Sequence, residues 1–302
     1  MTFLLHAHTE GESAFAAFLE EVLLHGILDT LKLLPFLFLT YLLMEYIEHK
    51  AQDKTKRVMK SAGRLGPLIG GALGAVPQCG FSAAAANLYT GRVVSLGTLI
   101  AVFLSTSDEM LPIMISGNIP IGKVLLILLY KALVGIAVGF AIDLVLRLTR
   151  HKSEDINIDE ICDNDNCHCE RGILRSALHH TVSITAFVLI ITLVINAAIF
   201  FIGEDRLAAA LYDKPVIGHL IASVFGLIPN CAVSVALTTF ATKGLITSGT
   251  MMAGLFSGAG VGVLVLFRMN KHLKENLLIV ALLVVFGVLF GLLADIIPVL
   301  KL

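Results

Sequence analysis

The chain has 302 residues, 57% of them hydrophobic and 15% charged, with a mean hydropathy of +0.88. A soluble globular domain carries far more charge, so this composition indicates a polytopic membrane protein. With 22 Lys and Arg against 23 Asp and Glu the net charge is -1, which offers no clustered basic surface and sets nucleic acid aside as a partner. The lipid bilayer is the partner that composition demands.

Residues 1 to 24 form an outer N-terminal segment with no Lys or Arg; Glu10, Glu12, Glu20 and Glu21 take the place of the basic n-region of a cleaved signal peptide. His6 and His8 there are a two-histidine cluster of low specificity. A bilayer core about 30 Å thick needs about 20 apolar residues per helix. Six stretches qualify as spans, roughly 25 to 47, 93 to 116, 121 to 147, 176 to 202, 244 to 268 and 275 to 298. Two more apolar segments, roughly 64 to 90 and 216 to 241, carry Pro77 and Pro229 near their middles, where a continuous helix would kink.

An internal repeat accounts for both. Sliding the sequence by 152 positions aligns Gly74-x-x-Pro77-x-Cys79-x-x-Ser82 with Gly226-x-x-Pro229-x-Cys231-x-x-Ser234. The same offset pairs Gly97-Thr98 with Gly249-Thr250, Ser105 with Ser257, and Gly135, Gly139 and Asp143 with Gly287, Gly291 and Asp295. The chain therefore divides into a first membrane repeat, 25 to 147, a linker, 148 to 175, and a second membrane repeat, 176 to 302.

Lys and Arg set the orientation. Lys50, Lys54, Lys56, Arg57, Lys60 and Arg64 put the first loop in the cytoplasm and the N-terminus outside; Arg147, Arg150, Lys152, Arg171 and Arg175 put the linker in the cytoplasm too. An even number of crossings must then separate residues 64 and 147, which holds if segment 64 to 90 is a re-entrant hairpin bent at Pro77-Gln78-Cys79-Gly80. Fifteen of the 22 basic residues then face the cytoplasm and five face outside, with Lys32 and Lys131 inside helices. The expected fold is an all-α membrane protein of two inverted repeats, each of three transmembrane helices and one re-entrant hairpin. Inverted repeats with broken segments near the midplane are the architecture of secondary transporters, and the hairpin tips are the expected substrate site.

The tips offer backbone carbonyls, the side-chain amides of Gln78 and Asn230, the thiols of Cys79 and Cys231, and the hydroxyls of Ser82 and Ser234. Alternatively, each Cys is a small packing residue. Ser105-Thr106-Ser107-Asp108-Glu109 is a polar run inside an apolar span. A carboxylate at the bilayer centre costs about 2.5 to 3.5 kcal/mol, so adjacent Asp108 and Glu109 call for a cation, a proton, water or Lys131 as partner. The second copy reads Ser257-Gly258-Ala259-Gly260-Val261 and has no acid there. The expected core metal ligands are Asp108, Glu109, Cys79 and Cys231, with Ser105 and Thr106 lining the site.

Other charges read as less informative. Asp29 and Lys32 share a helix face and can pair, while Glu45, Asp143 and Asp295 fall near helix ends, where wetting explains them. The Gly135/Gly139 and Gly287/Gly291 spacings suit close helix packing. In the linker, Cys162, Cys167, His168 and Cys169 could capture a soft or borderline cation, although the spacing fits no standard zinc module. Gly117 to Val124 imitates a phosphate loop, but Val124 stands where a metal-binding hydroxyl is needed. Asp53-Lys54-Thr55-Lys56 lacks the soluble domains of a phosphorylated pump, so no ATPase subunit is called for. Coupling to protons or sodium is expected, with no permanently bound cofactor and homo-oligomerisation left open.

The stretch GALGAVPQCGFSAAAANLYTGRVVSLGTLIAVFLSTSDEMLPIMI, with the later SVFGLIPNCAVSVALTTFATKG, resembles a bacterial family of ten-helix heavy-metal exporters whose members carry the labels arsenic efflux protein or manganese transporter. The resemblance covers nearly the whole chain, and ten helices equal six spans plus two hairpins of two arms each. It implies efflux of a metal or metalloid across the bacterial inner membrane. Manganese prefers the oxygens of Asp108, Glu109, Gln78 and Asn230, whereas trivalent arsenic prefers thiolates, of which the core offers only Cys79 and Cys231. A manganese-like cation is therefore favoured over an arsenite or organoarsenical permease. A passive channel is the nearest competitor; an enzyme using Cys79 would need a neighbouring His, and neither hairpin has one close by.

Overall fold

The computed structural model describes residues 65–76, 79–107, 110–149, 173–202, 215–229 and 231–302, together with scattered positions between 23 and 42. Every regular element among them is helical. The helices are α1 Gly66–Gly74, α2 Cys79–Thr90, α3 Leu96–Ser105, α4 Met110–Ser116, α5 Ile121–Thr149, α6 Ile173–Ile202, α7 Pro215–Gly226, α8 Cys231–Thr242, α9 Ser248–Ser257, α10 Val261–Met269 and α11 Leu273–Ile296, and a 3-10 turn Pro298–Leu300 follows. Among the described residues three stretches are long and apolar enough to cross a membrane: Ile121–Thr149, Ser248–Met269 and Leu273–Ile296.

The repeat governs where helices start and stop. The bounds of α2 and α3, moved by 152 positions, fall on those of α8 and α9 at both ends, and the start of α5 falls on the start of α11. The turns agree as well. After α2, Val93 N–H donates to the Leu88 carbonyl at 2.8 Å and Arg92 N–H to Tyr89 at 2.9 Å; after α8, Leu245 N–H donates to Phe240 at 2.8 Å and Gly244 N–H to Ala241 at 3.0 Å. These paired bonds are Schellman caps, which need a left-handed residue at the turn. Gly244 supplies it at φ +71°, and Arg92 adopts it at φ +55° despite its side chain.

Two of the expected spans, 93 to 116 and 244 to 268, carry an interruption, and the second still falls among the stretches able to cross a membrane. Each is two helices in tandem, α3 with α4 and α9 with α10. In the first, the chain turns extended at Thr106 (ψ 131°). In the second it passes through Gly258 and then Gly260 at φ 53°. Apolar residues on both sides of each break hide it from a hydropathy reading.

Within each copy a half-helix packs against a full one through glycine. A side chain at Gly139 would run into the Gly97 carbonyl and Ala101, and one at Gly291 into the Gly249 carbonyl and Ala253. This is the close backbone approach that small-residue spacings permit. Asp143 and Asp295 fasten the same junctions. Asp143 accepts from Gly97 N–H at 3.0 Å and Ser95 Oγ at 2.7 Å; Asp295 accepts from Gly249 N–H at 2.7 Å and Thr247 Oγ1 at 2.8 Å. Ser95 and Thr247 meanwhile cap α3 and α9. The carboxylates thus sit at half-helix N-termini, where free N–H groups and the helix dipole favour negative charge, so wetting does not account for them. Asp143 is buried.

The first arm of each hairpin runs alongside its neighbouring half-helix. Gly66 faces Thr98 and Gly74 faces Ser105, so α1 and α3 run in parallel; Gly226 meets Gly254 and Ser257 in the same manner. The second arm crosses over. α2 packs on α10 of the other copy, and α8 packs on α4. Across the middle, α5 and α11 run in opposite directions: Lys123 Nζ donates to the Lys301 carbonyl at 2.9 Å and Tyr130 Oη to the Phe290 carbonyl at 2.9 Å.

Candidate functional site

The ends of α1 and α3 lie level, because Gly74 abuts Ser105, and the ends of α7 and α9 lie level, because Gly226 abuts Ser257. Four helix C-termini therefore reach into the interior. The second hairpin arms begin nearby: Ser82, in the first turns of α2, is fully buried against Gly262 of α10, which Phe103 of α3 approaches as well. Cys79 and Cys231 are the first residues of α2 and α8.

One side chain ties the two copies together at this level. Lys131, from the middle of α5, is fully buried. Its Nζ donates to the Thr106 carbonyl at 2.6 Å and to the Leu255 carbonyl at 2.7 Å, and it lies 5.5 Å from the centre of the Phe256 ring. Thr106 closes α3 and Leu255 sits in the last turn of α9, so the ammonium caps the negative ends of two helices at once. Tyr130 and Phe290 pack on Phe256, with ring centres 5.8 and 6.0 Å away. The position equivalent to Lys131 in the second copy is Leu283, also fully buried.

The polar run expected at the site is buried as far as it is described. Ser105 Oγ donates to the Ala101 carbonyl at 2.7 Å, Thr106 Oγ1 to Val102 at 2.8 Å and Ser107 Oγ to the Ser105 carbonyl at 3.1 Å. Ser257 Oγ reaches the Ser223 carbonyl on α7 at 2.6 Å. Ser234 is half-buried, and its carbonyl accepts from Thr238 Oγ1 at 2.7 Å. Ser107 and Ser257 thereby satisfy carbonyls freed in the last turns of α3 and α7, while the other hydroxyls bond back to carbonyls of their own helices. Pro77, Gln78, Asp108, Glu109 and Asn230, the linker residues Cys162, Cys167, His168 and Cys169, and Asp29, Lys32, Glu45, His6 and His8 lie outside the described residues. Among the described residues no group of three or more His, Cys, Asp or Glu is arranged to hold a metal.

Sequence reasoning placed Lys131 in a helix without a role beyond that of a partner for Asp108 and Glu109; its link to α9 joins residues 124 apart, and no spacing signals it. A second cross-link likewise has no signal in the sequence spacing. Glu275, at the start of α11, accepts from Arg92 Nη1 at 2.7 Å and Nη2 at 3.0 Å, and also from Tyr89 Oη and from Asn270 Nδ2 at 3.3 Å. The ion pair joins the turn after α2 to the other copy. The imitation phosphate loop is the turn from α4 into α5, with Asn118 at φ +58°.

Residues 20–201 match a family model described as "Putative, 10TM heavy-metal exporter". The chain belongs to this family. The match covers the first repeat, the linker and α6, a shorter reach than the nearly whole-chain resemblance read from the motifs. No curated protein and no solved structure matches the chain. The family is one of membrane transporters for heavy metals, and the apolar helices suit a membrane protein of this class.

Proposed function

We propose that this family member is a secondary-active exporter of the bacterial inner membrane, built from two inverted repeats, which moves a manganese-like divalent cation out of the cytoplasm by alternating access. The observation that carries this reading is the opposite run of α5 and α11. Helices that correspond in the repeat lie antiparallel, held by Lys123 with Lys301 and by Tyr130 with Phe290, as two copies inserted in opposite senses require. The ends of α3 and α9 meet at Lys131, halfway along, where interrupted helices can offer carbonyls to a cation.

In this reading Asp108 and Glu109 serve as cation ligands or proton-exchange groups, and Cys79, Cys231, Gln78 and Asn230 complete the site from the hairpin tips. The carboxylates and amides favour a hard divalent cation over arsenic. The N-terminus lies outside and the Cys162 to Cys169 cluster in the cytoplasm. The test is a growth panel of manganese, zinc, cobalt, iron, arsenite and organoarsenicals in a host stripped of its own exporters, with transport followed in everted vesicles. Resistance to manganese and uphill manganese uptake into those vesicles on imposing a proton or sodium gradient are expected. Protection against arsenite alone would replace the substrate, and strictly downhill flux would make the protein a channel.

A further inference from the structure

Lys131 is an unusual group to find where two broken helices meet. A buried lysine within a membrane segment is costly and calls for specific partners, and here those partners include backbone oxygens from both copies, at 2.6 and 2.7 Å. Carbonyls at a helix C-terminus have lost their intrahelical donors and bear the negative end of the dipole. They are the kind of ligand a bare cation takes in place of its hydration water. The ammonium, with the Phe256 ring beside it, fills the place such a cation would take. The duplication supplies a control, because the equivalent buried position is Leu283, so the fold itself asks only for an apolar side chain there.

We propose that Lys131 is a tethered cation which holds the carbonyl cradle between α3 and α9, and that a transported cation occupies the cradle only when the ammonium withdraws from it. This inference rests on the exporter reading and goes beyond it, making Lys131 the residue that sets how tightly the site holds its cargo. The tethered charge competes with the substrate on entry and helps to expel it afterwards. Without it, a cation would meet two unsatisfied carbonyls and no like charge, and would bind more tightly and leave more slowly.

The experiment compares the unmodified protein with Lys131→Leu, which copies the other half, and Lys131→Gln, which keeps a hydrogen-bond donor without the charge. In vesicles, both variants should lower the KM for manganese about tenfold or more, the order of effect expected of a like charge a few ångströms away, while the maximal rate falls. A purely structural strut would lower the amount of active protein and leave KM unchanged. A second readout does not depend on transport. Purified Lys131→Leu protein should gain thermal stability from manganese chloride at concentrations that leave the unmodified protein's melting point where it was. Unchanged KM and unchanged metal response in both variants overturn the proposal, as does failure of both to reach the membrane, which would make the ammonium a requirement of folding. If the unmodified protein moves none of the metals while Lys131→Leu still gains stability from manganese, the exporter reading fails and the cradle stands.

Discussion

Tyr130 donates its hydroxyl proton to the carbonyl of Phe290 at 2.9 Å, joining two helices that occupy the same place in their respective repeats and point in opposite directions. With Lys123 and Lys301 making a similar bond further along, the two chain directions are fixed relative to each other. Lys243 and Lys271 then belong to opposite ends of the molecule. Lys243 lies at the end of α8, where Thr247 and Asp295 meet, and Lys271 lies in the turn before α11, near Arg92 and Glu275. In a background free of the native cysteines, Lys271→Cys should react with an impermeant maleimide only from the cytoplasmic side and Lys243→Cys only from outside. Labelling of both from one side would end the inverted arrangement.

The two aspartate clamps share a pair of bonds in equivalent places, and Asp295 in addition meets the buried imidazole of His219, Nε2 to Oδ2 at 3.0 Å. Hydrogen bonds to a charged group contribute about 1.5 to 3 kcal/mol each, net of the bonds to water they replace. Asp143→Ala and Asp295→Ala should each cost about 2 to 4 kcal/mol, visible as a lower melting midpoint in detergent, the first through loss of the more buried carboxylate and the second also through loss of a partner for buried His219. Asn at either position keeps one acceptor and should recover part of the loss. Two alanine variants that melt with the unmodified protein would deny the clamps any role in stability.

Gly244 and Arg92 share one left-handed turn position in the two copies. A Cβ at Gly244 would meet no atom within 4 Å, so Gly244→Ala isolates the backbone penalty, about 1 to 2 kcal/mol. Arg92→Gly relieves similar strain but gives up the two-pronged ion pair with Glu275, whose partly buried charge would lose its strongest partner. Thermal melting should therefore show both changes to be destabilising, though opposite in their effect on the backbone. A stabilised Arg92→Gly protein would show that the ion pair contributes less than the turn costs.

Asp108→Asn should abolish resistance to the exported metal while membrane abundance, read by immunoblot of washed membranes, stays at the unmodified level. Full retained resistance would remove this carboxylate from the mechanism.

What the sequence revealed depended on the range of each signal. Rare residues at a fixed offset marked the repeat, because both copies share the same needs: Gly97 and Gly249 each admit the backbone of a neighbouring helix, at Gly139 and Gly291. The interruptions at Thr106 and Gly258 stayed hidden, since a hydropathy window averages across a few residues of non-helical chain. Asp143 and Asp295 read as wetted helix ends because their acceptor role is set by N–H groups 46 positions away. Lys131 was the least legible of all. Its meaning comes from Leu255, on a helix of the other copy, and from a half-helix end that no periodicity announces.

The crossing of the hairpin arms, α2 lying on α10 and α8 lying on α4, makes the two halves reciprocal lodgers. Each keeps one helix in a berth that its sibling helps to build. A gene cut within the 148–175 linker should thus yield two fragments that are each degraded when made alone and survive when made together. Shedding of the membrane helices in stages is not open to such a molecule, because freeing one half strips the other of a wall.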